Sequence, residues 1–136
     1  MTENRHISKS IYDLLGQAAF DRLVAAFYRR VQAEPLLAPL YPQHDMEGAE
    51  RRLRLFLTQY FGGPTTYLDE RGHPRLRMRH APYQISMAER DAWVAAMLAA
   101  MQEANIEEPA YSIMRNYFEN AATFMINHTP DGTFDT

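Results

Sequence analysis

The sequence predicts an all-α fold, on three observations. Apolar residues recur at three- and four-residue steps along four long segments, the period of a helix with one buried face. No stretch alternates apolar and polar residues as a half-buried strand does, and there is no internal repeat or low-complexity tract. Glycines, prolines and short polar residues punctuate the chain between the periodic segments, where helices must stop and start.

The elements follow in order. A short helical pattern lies between about residues 9 and 15, carrying Ile11, Leu14 and Leu15, and Gly16 closes it. From about 18 to 32, Phe20, Leu23, Val24, Phe27 and Val31 form an inward stripe, with Asp21, Arg22, Arg29 and Arg30 mostly outside and Tyr28 on its border. Pro35, Pro39 and Pro42 leave Leu36, Leu37, Leu40 and Tyr41 no more than a turn or single-turn helix, because proline lacks the N–H that a helix interior needs. After Asp45 a strong helix runs to about Phe61, with Met46, Ala49, Leu53, Phe56, Leu57 and Tyr60 on one face and Glu47, Glu50, Arg51 and Arg54 on the charged face. Gly62-Gly63-Pro64 ends it.

Residues 65–74 have no apolar period and read as a loop, which delivers a very short helix ending at His80, before Pro82 stops it. Ser86 with Glu89 three residues on is a capping-box pattern, opening a helix to about Ala104 with Trp93, Val94, Met97, Leu98 and Met101 inward. The last helix, from about Pro109 to Asn127, presents Ile113, Met114, Tyr117, Phe118, Ala121, Ala122 and Met125. Both ends of the chain are expected to fray.

At 136 residues the chain reads as one domain, 1–136, with its core at about 11–127. A hydrophobic fraction of 46% supplies a large interior and argues against disorder. The net charge of −3 gives no general attraction to nucleic acid; the one basic cluster, Arg71, Arg75, Arg77 and Arg79, has no interleaved aromatics to stack bases and reads as a solvated face. The absence of cysteine excludes disulfides, thiolate zinc sites, thiolate-bound haem and covalent haem attachment. The N-terminus has no signal-type apolar core, and the longest apolar run, 92–101, is too short for a bilayer, so a soluble, cytoplasmic protein without membrane partners is expected.

Phosphate-binding glycine loops, paired zinc-protease histidines and calcium loops are missing. With dispersed histidines a multi-ligand metal site is not expected, whereas a porphyrin asks the protein for one axial ligand only. His80 suits that role, since the backbone at a helix end sets its angle and Leu76 lies one turn earlier on the same side. On the residues alone it reads more readily as a solvated helix end, four periodic helices fit a four-helix bundle equally well, and Tyr28, Tyr41 and Trp93 read as core packing before they read as hydrogen-bond donors.

Gly62-Gly63-Pro64, Tyr67 and the run Gly72-His73-Pro74 through His80 to Pro82, with Tyr28, Tyr41 and Trp93, resemble the group II branch of the truncated, or two-over-two, haemoglobins, from about Ile11 to about Asn127. The resemblance implies a truncated globin fold: the segments 18–32, 45–61, 86–104 and 109–127 form two antiparallel pairs over and under a non-covalent haem b, with His80 on the iron. It further implies that Tyr28, Tyr41 and Trp93 form a distal hydrogen-bonding cluster. Ala49 would leave room for ligand access and supply no sixth ligand, so that reduced iron is five-coordinate. Leu53, Phe56 and Leu57 would pack over the ring, Leu76, Ile85 and Met97 would complete the walls, and Arg52, Tyr67 and Arg79 would meet the propionates. One departure is local: the family commonly carries a glycine pair after the first helix, and this chain has Gly16-Gln17.

The implied function is reversible binding of dioxygen and other diatomic ligands. Nitric oxide dioxygenation and peroxide chemistry are secondary implications, with an external reductase as partner; a homodimer is compatible with either. The rival expectation is a haem-free helical interaction or sensing module, in which the stripes are plain core and the three aromatics only pack.

Overall fold

The computed structural model describes residues 9–128. Its helices are α1 (Ile11–Leu15), α2 (Gln17–Ala33), α3 (Met46–Tyr60), α4 (Thr66–Arg71), α5 (Leu76–His80), α6 (Met87–Glu103) and α7 (Ala110–Phe124), with single 3₁₀ turns at Ala38–Leu40 and Gln43–Asp45 between α2 and α3. The expected frayed ends lie outside the described residues.

Local chemistry sets the boundaries. Ser10 caps α1 by accepting the Asp13 N–H at 3.0 Å, and Gly16, at φ +84°, turns the chain straight into α2. A second glycine is not required there, because Gln17 is already the first residue of α2, where its side chain donates to Asp21 at 3.1 Å and accepts from the Tyr12 hydroxyl at 3.2 Å. Asp45 caps α3 by accepting the Gly48 N–H at 3.0 Å. Ser86 and Glu89 form the capping box that opens α6, with Glu89 Oε1 accepting the Ser86 N–H at 2.8 Å.

The predicted stripe of α2 is the centre of the core: Phe20, Leu23, Val24, Phe27 and Val31 have no exposed surface. This helix packs against α3 on one side and α6 on the other, and α6 packs in turn against α7. Two antiparallel pairs, α2–α3 and α6–α7, therefore lie one over the other, as the two-over-two expectation requires. Burying Val94, Met97, Ala100 and Met101 between two neighbours gives α6 its broad apolar surface.

Three expectations need correction. The stretch 65–74 is not all loop, because α4 occupies six of its residues. Six residues are too few to show a period and too few to be helical on propensity alone. Tertiary partners supply the stability: the Leu68 N–H donates to Gln59 Oε1 at 2.8 Å, Arg51 pairs with both oxygens of Glu70 at 2.8 Å, and the Tyr67 ring is buried against Phe56. α7 stops at Phe124, short of Asn127, because the Asn127 and His128 N–H groups turn to the Ile85 carbonyl at 2.9 and 3.1 Å. Leu14, Tyr60 and Ile113, expected inward, are about half exposed. α1 buries no residue fully, Ile113 sits one position off the Met114–Phe118–Ala122 line that faces α6, and Tyr60 lies stacked on the Tyr117 ring with its other face outward.

Candidate functional site

A cavity of about 280 Å³ opens between α3 and α5 and reaches back to α2, α6 and α7. Its floor is set by α5, whose five residues include none that is buried. At the end of that helix His80 Nδ1 lies 2.7 Å from the Leu76 carbonyl oxygen. A carbonyl can only accept, so Nδ1 carries a proton and donates, and in the neutral ring the lone pair then belongs to Nε2, on a ring that borders the cavity.

The opposite end is polar at three points. The Trp93 indole donates from Nε1 to the Tyr41 hydroxyl at 3.2 Å, and the Tyr41 ring stands edge-on to Tyr28 with centroids 5.5 Å apart. Burial pushes the Tyr41 phenol up to about 12, against the opposing effect of its bond from Trp93. Tyr28 is raised further, first by burial and then by Tyr41, with Arg52 opposing. Both phenols therefore keep their protons at neutral pH and can donate. Among the described residues the Tyr28 hydroxyl has no hydrogen-bond partner, which leaves it available to a ligand in the cavity that it borders.

The rest of the wall is apolar. Leu53, Phe56 and Leu57 come from successive turns of α3, Leu76 from α5 and Ile85 from the segment entering α6. Ala49 borders the cavity with only a methyl group, and Arg52, 3.5 Å from Asp45, is a half-buried cation on the same wall. The structure thus brings eleven sequence-singled residues to one cavity: Tyr28, Tyr41, Ala49, Arg52, Leu53, Phe56, Leu57, Leu76, His80, Ile85 and Trp93. Three others lie elsewhere. Met97 is fully buried in the main core, Tyr67 packs behind Phe56, and Arg79 turns its guanidinium to the carbonyls of Pro74 and Arg71 at 2.7 and 3.1 Å.

Sequence reasoning missed part of the wall. Tyr117, Phe118, Ala121, Ala122 and Met125 line the cavity from α7, and Glu89 and Arg90 from the start of α6. The α7 residues carried a visible signal, an apolar stripe, which does not say whether it faces packed core or a cavity. Arg90 carried none. Its guanidinium donates to Thr123 Oγ1 at 3.1 Å and to the Glu119 carbonyl at 3.2 Å, which ties α6 to α7 and leaves its aliphatic stem on the wall.

The donor set fits a haem. Among the described residues no three His, Asp or Glu side chains gather as metal ligands, so a bare ion would not find the three or four protein ligands it needs. An iron that arrives with four porphyrin nitrogens needs only the fifth ligand that Nε2 of His80 can give, and the apolar walls suit the ring. A helical sandwich around an apolar cavity, with one imidazole at one end and hydrogen-bond donors at the other, is the arrangement that haem-binding globins have.

Known proteins agree with that class. The bacterial-like globin family matches residues 10–127. Group 2 truncated hemoglobin YjbI of Bacillus subtilis is 39% identical over 118 residues, 87% of this chain and 89% of that protein. The hemoglobin of the thermophilic phototroph Chloroflexus aurantiacus superposes with a TM-score of 0.86 at 54% identity, covering 89% of this chain and 100% of that one. The truncated oxygen-avid haemoglobin from Bacillus subtilis superposes with a TM-score of 0.83 at 38% identity, covering 88% and 100%. This chain belongs to the bacterial-like globins, in the group II truncated haemoglobin branch. Among the described residues no helix is long and apolar enough to cross a membrane.

Proposed function

We propose that this chain is a cytoplasmic globin that holds haem b non-covalently through His80 Nε2 and reversibly binds dioxygen and other diatomic ligands on the opposite face. The observation that carries the reading is the Nδ1–Leu76 bond, which engages one ring nitrogen and makes Nε2 the ligating nitrogen of the neutral ring, beside an apolar cavity. Haem, when bound, supplies the reduced iron on which a diatomic gas is held. The protein does the rest: His80 fixes the axial side, the side chains of α3 and α7 exclude water, and Ala49 leaves the distal position open. Tyr28 and Tyr41 offer protons to the partial negative charge that dioxygen acquires, in a dry site where such bonds are strong, and the Trp93 indole N–H, donating to the Tyr41 hydroxyl, orients that hydroxyl. Arg52 is placed to meet a propionate by a charge-assisted bond. The oxygen avidity stated for the Bacillus subtilis haemoglobin, 38% identical, points the same way.

A visible spectrum tests this. Protein reconstituted with haemin should show a strong Soret band and, once reduced, convert from a deoxy to an oxy form in air. His80→Gly should lose or severely weaken haem retention. Wild type that stays colourless with excess haemin would leave the haem-free helical module as the better reading. Nitric oxide scavenging is a further step, checked by mixing the oxy form with nitric oxide and asking whether a cellular reductase restores ferrous iron.

A further inference from the structure

α5 is a helix that its own sequence cannot hold in place. Five residues are far below the length at which a helix is stable alone, and none of its side chains is buried. Yet the orientation of its last residue decides where the His80 imidazole points. Something outside α5 must fix it.

The structure shows what does. Asn127, beyond the end of α7, is only 3% exposed, and both ends of its side-chain amide and its backbone N–H are engaged with the segment around His80 or with its own neighbour in the chain. Its Nδ2 donates to the Tyr83 carbonyl at 2.8 Å and, more weakly, to the His80 carbonyl at 3.4 Å. Those two residues are the ends of the turn that closes α5, since the Tyr83 N–H itself donates to the His80 carbonyl at 3.0 Å. On its other side Asn127 Oδ1 accepts the Ile85 N–H at 2.9 Å, while the Asn127 N–H donates to the Ile85 carbonyl at 2.9 Å. His128 Nδ1 lies 2.6 Å from the same Oδ1. Two carbonyls on one side and a backbone N–H on the other allow a single orientation of this amide. One residue earlier, the Ile126 carbonyl accepts from Arg77 of α5 at 3.3 Å.

We propose that Asn127 is the positioning residue for the axial histidine, its buried amide clamping the His80–Ile85 segment to the end of α7 and so setting the height and tilt of the His80 imidazole. The inference rests on His80 being the iron ligand. Asn127 touches neither the imidazole nor the cavity and acts only through the backbone that carries His80. An apolar side chain could fill the same volume but would leave the Tyr83 carbonyl and the Ile85 N–H without these partners, which a buried backbone does not tolerate cheaply.

The test uses haem-loaded protein and two readouts: the iron–histidine stretching band of the ferrous deoxy form by resonance Raman, and the rate of haem loss to a scavenging apoglobin. Asn127→Ala should shift or broaden the band and speed haem loss about ten- to hundredfold, the range typical of second-sphere losses at metal sites. Asn127→Asp keeps an acceptor for the Ile85 N–H and loses both donations, so it should give the same band change even if Asn127→Ala fails to fold. His80→Gly loaded with free imidazole separates positioning from general loosening. With the ligand cut from the backbone, adding Asn127→Ala should leave the iron–imidazole band where it was. An unchanged band and haem-loss rate in both Asn127 variants, or a shift that persists with free imidazole, overturns the clamp. No iron–histidine band in wild type, or a band surviving in His80→Gly without imidazole, would instead overturn the ligand assignment beneath it.

Discussion

The Trp93 indole N–H is spent on the Tyr41 hydroxyl, 3.2 Å away, so the two side chains face the cavity as a coupled pair and not as separate donors. Trp93→Phe removes a buried donor and leaves the Tyr41 hydroxyl to reorient. It should accelerate dioxygen release roughly five- to hundredfold, the equivalent of about 1–3 kcal/mol for one buried hydrogen bond. Because the pair shares one bond, the effects of Trp93→Phe and Tyr41→Phe on the dissociation rate should not add. Stopped-flow rates unchanged by Trp93→Phe would remove the indole from the distal site.

The same burial predicts an alkaline limit to stability. Tyr41 ionises at about 12 in the folded protein against an ordinary 10.0, so above 10 the unfolded chain releases its proton first. Stability from this phenol is fully present below 10.0 and is lost as pH rises towards about 12, and Tyr28 and Tyr117, also raised by burial, add to the slope. Denaturant midpoints should be flat on the neutral side and fall steeply through that window. Tyr41→Phe should make the fall shallower; an identical slope would mean that Tyr41 is not protected in solution.

At the acid end the sign reverses. Burial opposes the charge on Glu89, but bonds from the Ser86 hydroxyl and N–H, its own N–H and the nearby His128 together hold its carboxyl below the usual 4.5. Its contribution is present above 4.5 and lost as pH falls through the lower folded value. Glu89→Gln, which keeps the shape and loses the charge, should cost about 1 kcal/mol at neutral pH as a weakened cap. It should also flatten the acid limb of the stability curve, and thermal melts across that range would reveal a limb left unaltered.

Ala49 is the one residue on the cavity face of α3 whose replacement should change coordination outright. Ala49→His sets a second imidazole opposite His80, and reduced, haem-loaded protein should turn from a five-coordinate to a six-coordinate low-spin spectrum with slower ligand binding. A deoxy spectrum like that of wild type would show that this face of α3 does not overlook the iron.

Much of this molecule was legible in one dimension. The stripe of α2, the Ser86–Glu89 cap and the glycine and proline stops are all local patterns, set by bonds within a turn or two, and the chain states them directly. What lies beyond a single turn was not. The helix α4 exists because Gln59, Arg51 and Phe56 of another helix hold it, so its own six residues show no period. The α7 stripe was visible, but whether Tyr117 and Ala121 face packed core or a cavity depends on how far α3 and α5 stand away from them. Asn127, predicted as the last residue of a helix, is the clamp on the turn after His80. Periodicity records which side of an element avoids water; which neighbour arrives there, and whether the two close together or leave a gap, is decided only when distant segments pack.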